Sequence, residues 1–245
     1  MAILGLKNTD GKENSKEVFH FPTSKNALII FTRNPELGKC KTRLATKVGD
    51  EAALDIYKFL LQHTVKITTP LNVDKFVYYS EKLHQNDAWD EQIFRKKVQE
   101  GTDLGIRMQN AFTAVFNHGY ERAIIIGSDM FDMTTQDLQN AFTALEKSSF
   151  AIGPAEDGGY YLLGMKNVYP SVFSNKNWGT DTVLEATISD LKNETVALLE
   201  EKNDVDYFED IADVEAFQRF FPVGLKKNLT SQATLQREGG ANTLI

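Results

Sequence analysis

An α/β protein with a mainly parallel sheet, covered by helices, is the fold this chain predicts. Three observations lead there. Apolar runs of strand length alternate with longer stretches of helical spacing through the middle of the sequence, the pattern of successive βαβ units. The run Arg122–Ile126 is continuously apolar after its first residue, as expected of a strand buried on both faces. Apolar residues make up 42% of the 245-residue chain, enough for a substantial core, and no internal repeat points to a different architecture.

The elements follow in order. Ala27–Ile30 reads as the first strand, and the segment from Phe31 to Leu44 passes through a loop with Pro and Gly into helical spacing. Across 51–67, Ala53, Leu54, Tyr57, Leu60, Leu61 and Thr64/Val65 fall on one helix face, with Asp50 as the expected N-cap. Lys75–Ser80 is a strand. A helix over 106–117 carries Met108, Ala111, Phe112, Val115 and Phe116 on its apolar side, and Arg122–Ile126 is the next strand. Thr134 and Asp137 stand at capping-box spacing ahead of the stripe Leu138, Ala141, Phe142, Leu145, so 134–147 is a helix. Two short strands, 150–152 and 160–163, flank a Gly-rich link. A helix over 181–191, a strand over 195–199 and a closing helix over 210–220 complete the core. Residues 1–25, with a short strand near Phe19 to Phe21, are expected to be a loose extension, residues 26–222 one domain, and residues 223–245 a tail.

Bulk properties exclude several classes. A net charge of −7 and a pI near 5.2 argue against a duplex nucleic-acid binder, which needs a broad basic face. Cys40 is the single cysteine, so no intramolecular disulfide forms, and it reads as a small packing residue rather than a nucleophile. No apolar run reaches membrane-spanning length, and no secretion signal opens the chain. The expected setting is the cytoplasm, with no membrane partner; the terminal extensions leave homo-oligomerisation open.

Against the acidic average, Arg33, Lys39, Lys41 and Arg43 gather in one loop after the first strand. A strand, a cationic loop around Gly38 and a helix start is a common receiver for phosphate. After Ile126 comes Gly127-Ser128-Asp129, which delivers a carboxylate to the carboxyl end of a strand, where α/β sheets bind ligands. Facing a cationic loop, Asp129 suits a divalent metal bridging to phosphate, although Gly-Ser-Asp is also ordinary turn chemistry. Asp132 is a second, weaker candidate that equally suits a helix cap. The third motif, Glu156-Asp157-Gly158-Gly159 before Tyr160, reads as a hairpin turn that presents Glu156 and Asp157 over the site, with glycines admitting close backbone approach. Arg33 and Cys40 stand where a P-loop needs Gly and Ser or Thr, no Gly-x-Gly-x-x-Gly follows the first strand, and the four histidines show no metal-ligand spacing. No Gly-x-Ser-x-Gly elbow occurs.

Taken together, the segments Phe31 to Leu44, Gln99 to Met108, Gly127 to Asp129 and Asp157 to Gly164 resemble the DUF2064 family, bacterial proteins of the GT-A, nucleotide-diphospho-sugar transferase type that are similar to phospholactate guanylyltransferases. The resemblance spans roughly residues 27–215. It implies a three-layer α/β/α sandwich with a mixed, mostly parallel sheet and a nucleotide or nucleotide-sugar held near the first loop. By position it assigns Arg33, Lys41 and Arg43 to phosphates and Asp129 to Mg2+ or Mn2+. The stretch Asp204 to Ile211 resembles a segment that completes the metal site in related nucleotidyltransferases, so Asp206 or Asp204 is a second ligand. The same stretch also reads as a helix N-cap with acidic first-turn residues. Trp178-Gly179-Thr180 resembles the family's Trp-Ser-Thr segment: Trp178 is either core or a wall that stacks on sugar or base, and Thr180 or Asp181 caps the following helix. Arg107 is placed near the pocket or in a surface ion pair. Two departures stand out: Phe131 and Phe208 occupy places where the pattern has proline, and Asp129 lacks an Asp-x-Asp partner.

The reading that results is a metal-dependent glycosyl- or nucleotidyltransferase. Asp129 and Asp157 are catalytic, Gly38 belongs to the phosphate loop, and Glu156, Gly158, Gly159, Trp178 and Thr180 form the acceptor side. The alternative is a nucleotide-binding protein of the same fold that has lost catalysis.

Overall fold

Seven strands form one sheet in the computed structural model, which describes residues 21–225. They are β1 (Asn26–Thr32), β2 (Asp74–Tyr79), β3 (Phe94–Val98), β4 (Arg122–Ile126), β5 (Phe150–Pro154), β6 (Tyr160–Met165) and β7 (Val196–Leu198), in the spatial order β3-β2-β1-β4-β6-β5-β7. β6 runs antiparallel to both β4 and β5, and every other neighbouring pair is parallel. The sheet is therefore mixed and mostly parallel. The helices are α1 (Thr42–Val48), α2 (Asp50–Thr68), α3 (Leu104–Asn117), α4 (Thr135–Lys147), α5 (Pro170–Phe173) and α6 (Val183–Asp190). The expected strand near Phe19, most of the N-terminal extension and the tail beyond residue 225 lie outside the described residues.

The period-two alternation of β1 shows why three layers form. Leu28 and Ile30 face one cluster, with Tyr57 and Leu61 of α2 and Leu138, Phe142 and Leu145 of α4. Ala27 and Ile29 face the other, with Met108, Phe112 and Val115 of α3 and Phe173 of α5. All four strand residues are fully buried, which the continuous apolar run required. A third cluster lies outside the sandwich. Leu44 and Val48 of α1 and the outer face of α2 meet Val205, Ile211, Phe217 and Phe221. This cluster docks the C-terminal segment beside the first loop.

Several ends differ from expectation for identifiable reasons. Asp50 is the first residue of α2, and the N-cap position belongs to Gly49 at φ 87°, a conformation glycine adopts without Cβ strain. α6 starts at Val183 behind Thr182; neither Thr180 nor Asp181 caps it, and the Thr180 hydroxyl donates to the Asn177 carbonyl instead. The capping box at Thr134 and Asp137 forms as expected. The closing helix is reduced to a 3-10 turn over 215–220. Phe208, Ile211, Val214 and Phe217 recur every three residues, and each amide of the last three donates to the carbonyl of the one before. A strict three-residue repeat fits a 3-10 winding better than 3.6 residues per turn. β3, with the sequence Phe-Arg-Lys-Lys-Val, is a charged edge strand whose pattern conceals it.

Candidate active site

Two adjacent parallel strands deliver the site. Ile30 of β1 pairs with Ile126 of β4, so the loops that leave their carboxyl ends emerge side by side. A buried triangle of hydroxyls ties them together. The Ser128 and Tyr57 oxygens each lie 3.1 Å from Thr32 Oγ1 and 3.2 Å from one another. The Tyr57 hydroxyl also accepts the Arg33 amide at 2.8 Å. α2 thereby fixes both loops with one side chain, a role that nothing in the sequence pattern announced for Tyr57. Gly127 makes room for the carboxylate: a Cβ there would stand 2.7 Å from Asp129 Oδ1.

Asp129 faces the cationic loop directly. Lys41 Nζ donates to Asp129 Oδ2 at 2.8 Å and to Asp206 Oδ1 at 2.9 Å, and its side chain is 5% exposed. Arg43 donates to Asp206 Oδ2 at 3.0 Å and lies over the Tyr207 ring. Lys41 sits in the left-handed region at φ 49°, at the N-cap position of α1, an uncommon place for a residue with a Cβ. Burial pulls its ammonium pKa down, and the Asp129 and Asp206 charges overcome this and raise it. Burial likewise raises Asp129, yet Lys41 draws it below the ordinary carboxylate range. Asp204 makes no ion pair among the described residues: burial, then the Asp206 and Asp129 charges, push it up to about 6 against the opposing charge of Lys41.

One oxygen from each of Asp129, Asp204 and Asp206 can lie within 4.8 Å of the others. Hard oxygen donors at that spacing fit Mg2+ or Mn2+, and the three carboxylates exceed the two charges of Lys41 and Arg43. Val205 explains how two of them arrive. It is 3% exposed in the third cluster, its amide reaches the Asp129 carbonyl at 3.4 Å, and its neighbours flank that anchor. The carboxylates that join Asp129, which has no Asp-x-Asp partner of its own, thus come from far along the chain. Phe131 and Phe208, which stand in place of prolines, pack into the aromatic group around Phe59, Phe217 and Phe221.

Beside the carboxylates opens a cavity of about 260 Å³, with Asp129, Asp157 and Asp204 on its wall together with Gly159, Trp178 and Thr180. β5 and β6 form the expected hairpin, and Asp157 Oδ1 accepts the Gly159 amide at 2.8 Å. Gly158, at φ 83°, lets the tip press on the segment before α6, where a Cβ would fall 2.2 Å from the Asp181 carbonyl oxygen. Trp178 is half-buried against the α3 core cluster and also lines the cavity.

Other candidates sit elsewhere. Glu156 is exposed at the hairpin and outside the cavity wall, and its amide bonds to Lys202. Asp132 accepts the Asn203 amide and leaves the next helix cap to Thr134. Arg107 folds back on the Gly101 carbonyl and lines a separate groove near Lys97 and His118. Gly38 turns the loop at φ 72° beside Asp50. Lys39 is paired with Glu36 at 2.7 Å. Arg33 is exposed, and its charge helps lower the Asp129 pKa. Cys40 is buried, its thiol donates to the Asn34 carbonyl at 3.3 Å, and burial raises its pKa, as a packing residue requires.

Comparison with known proteins follows the same lines. A family described as uncharacterised protein conserved in bacteria, DUF2064, matches residues 64–180. A provisionally named nucleotide-diphospho-sugar transferase from Desulfovibrio desulfuricans G20 is 30% identical with a TM-score of 0.73, over 88% of this chain and 98% of that one. A 4-diphosphocytidyl-2C-methyl-D-erythritol synthase from Anaerococcus prevotii DSM 20548 is 12% identical with a TM-score of 0.52, over 79% and 96% of the two chains. A cytidylyltransferase from Leptospira borgpetersenii serovar Hardjo-bovis is 13% identical with a TM-score of 0.50, over 92% and 99%. These last two share the fold. No curated protein matches. From the first structure's identity and coverage, and from the family match over β4, the strand that leads to Asp129, the chain belongs to the DUF2064 family.

Proposed function

We propose that residues 26–222 form a divalent-metal-dependent transferase that takes a nucleotide or nucleotide-sugar donor, acting in the cytoplasm on small molecules. One observation carries the reading: Lys41 and Arg43 meet Asp129 and Asp206 within 3.0 Å, so phosphate-binding cations and metal-binding carboxylates share one centre. The name of the Desulfovibrio relative points the same way.

In this reading Asp129, Asp206 and Asp204 hold Mg2+ or Mn2+, which supplies charge neutralisation at the diphosphate. Arg33, Lys41 and Arg43 bind phosphate oxygens and stabilise the charge that gathers on the leaving group, with Gly38 shaping their loop. Asp157, whose second oxygen is left over by its own turn, orients the acceptor and takes its proton. Gly159 lets the hairpin backbone approach the acceptor, Gly158 seats the hairpin tip on the segment before α6, Trp178 and Thr180 complete the wall, and Glu156 stays at the rim.

A thermal-shift and calorimetry screen of nucleoside di- and triphosphates and nucleotide-sugars with Mg2+ or Mn2+ tests this. A ligand at a hundred times its Kd stabilises the fold by about 2.7 kcal/mol, and D129A is expected to abolish the metal-dependent part. Mass analysis of products separates glycosyl from nucleotidyl transfer. Tight binding without turnover on any donor–acceptor pair would mark a binding protein instead.

A further inference from the structure

The charges around the cavity are arranged unevenly. Its apolar wall is built from Phe31, Leu104, Met108, Ile125, Trp178 and Val183, and its ionisable groups are Asp129, Asp157, Asp204 and two tyrosines. Among the described residues no Lys, Arg or His lines it. Lys41 and Arg43 lie beyond the carboxylates and point their donors at Asp129 and Asp206. The carboxylates therefore form a fence, with cations on one side and an apolar chamber on the other. The Trp178 wall is built to stay in place. A Cβ on Gly105 would come within 2.7 Å of the indole and 2.4 Å of the Phe173 carbonyl, so the ring is seated on bare α3 backbone.

Resting on the transferase reading, we infer that this chamber receives the acceptor, and that the acceptor is an uncharged or cationic molecule carrying hydroxyl or amino groups on an apolar ring, with phosphorylated molecules rejected. A flat apolar body matches the Trp178 wall. Hydroxyl or ammonium donors match the carboxylates, which only accept. A phosphate there would face those carboxylates, while the neighbouring cations Lys41 and Arg43 are engaged by Asp129 and Asp206. In the transferase reading the metal held by Asp129, Asp204 and Asp206 is taken up by the donor's diphosphate, and Asp157, outside that group, still presents its carboxylate to the chamber.

The full chain, labelled with 15N-tryptophan, provides the test. Its two tryptophans, Trp89 and Trp178, give two indole signals, assigned with Trp178→Phe. Phenethyl alcohol, phenethylamine and phenyl phosphate are titrated with and without Mg2+. The alcohol and the amine should move the Trp178 signal saturably and bind at least tenfold more tightly than phenyl phosphate, leaving the buried Trp89 signal in place. Asp157→Asn should shrink the advantage of the amine over the alcohol several-fold, and an unmoved Trp89 signal shows that this variant is folded. Phenyl phosphate binding as tightly as the alcohol, or no probe moving Trp178, would overturn the inference. Nucleotide titrations in the same samples keep the two ideas apart. Loss of nucleotide binding with charge selection intact would sink the transferase reading alone, and the reverse outcome would sink the acceptor class alone.

Discussion

Lys41 pairs with two of the carboxylates to which the transferase reading assigns a divalent ion, Asp129 and Asp206. In that reading metal binding displaces the ammonium and frees it for phosphate. K41M should accordingly bind Mn2+ at least tenfold more tightly than wild type without nucleotide, a gain of about 1.4 kcal/mol. It should also unfold at lower temperature when metal-free, because paired carboxylates lose their partner, and bind nucleotide more weakly. Calorimetry on both proteins checks all three, and an unchanged Mn2+ affinity would refute the competition. Asp204 sets the pH response. Its folded pKa of about 6 lies above the ~4 of an unfolded aspartate, so the folded state holds an extra proton between those values. Stability of the metal-free protein should fall as pH rises through that window, while Mn2+ affinity should rise through pH 6 as the ligand deprotonates. Denaturation and metal titrations at pH 4.5, 6 and 7.5 would show opposite slopes. At this scale the sequence exposed the types of residue but not their partners. Asp129, Lys41 and Arg43 were readable from their motifs, and resemblance alone suggested Asp206. Tyr57 looked like one more apolar-face residue, because nothing local marks a hydroxyl that bridges two loops.

Among the elements, the segment carrying Asp204 and Asp206 depends on one anchor. Val205 is buried between two half-buried carboxylates, an alternation that places neighbours on opposite sides of an extended chain. V205A should cost about 2 kcal/mol in chemical denaturation, the loss of two buried methyl groups. It should weaken Mn2+ binding more than an equally destabilising substitution in α4, since only Val205 also aims the ligands. Comparing V205A with L145A, corrected for stability, would expose the difference; equal metal affinities would contradict the anchor. The same segment shows where periodicity misleads. Apolar residues at every third position satisfy the i, i+3 half of a helical pattern, so residues 210–220 read as one α-helix, and the segment formed 3-10 turns with a 3-10 helix over Glu215–Phe220. β3 was missed for the opposite reason: its Arg-Lys-Lys centre carries an edge strand's protection against pairing with other chains, and that erases the apolar signal.

Across the whole molecule, the alternation of strand and helix was enough to read the sandwich, because each strand's two faces must be covered by something. The antiparallel β6 was readable only as a hairpin signal at Asp157-Gly158. What no local pattern encodes is the third cluster, where α1 and α2 meet residues 205–221 across most of the chain's length. That long-range closure brings Asp204 and Asp206 to Asp129, and it lies apart from the two cores that hold the sheet.

In the transferase reading, the placement of that third cluster couples metal loading to the docking of residues 203–221. A cation that bridges Asp129 to Asp204 and Asp206 cross-links the sheet to a clasp that is otherwise secured by a handful of side chains, so occupancy should quench the clasp's local opening. Amide hydrogen exchange over residues 203–221 should slow on addition of Mn2+ with nucleotide, while β1 and β4, already protected by the sandwich, should barely change. The protein would then report its own occupancy through the segment that the third cluster docks.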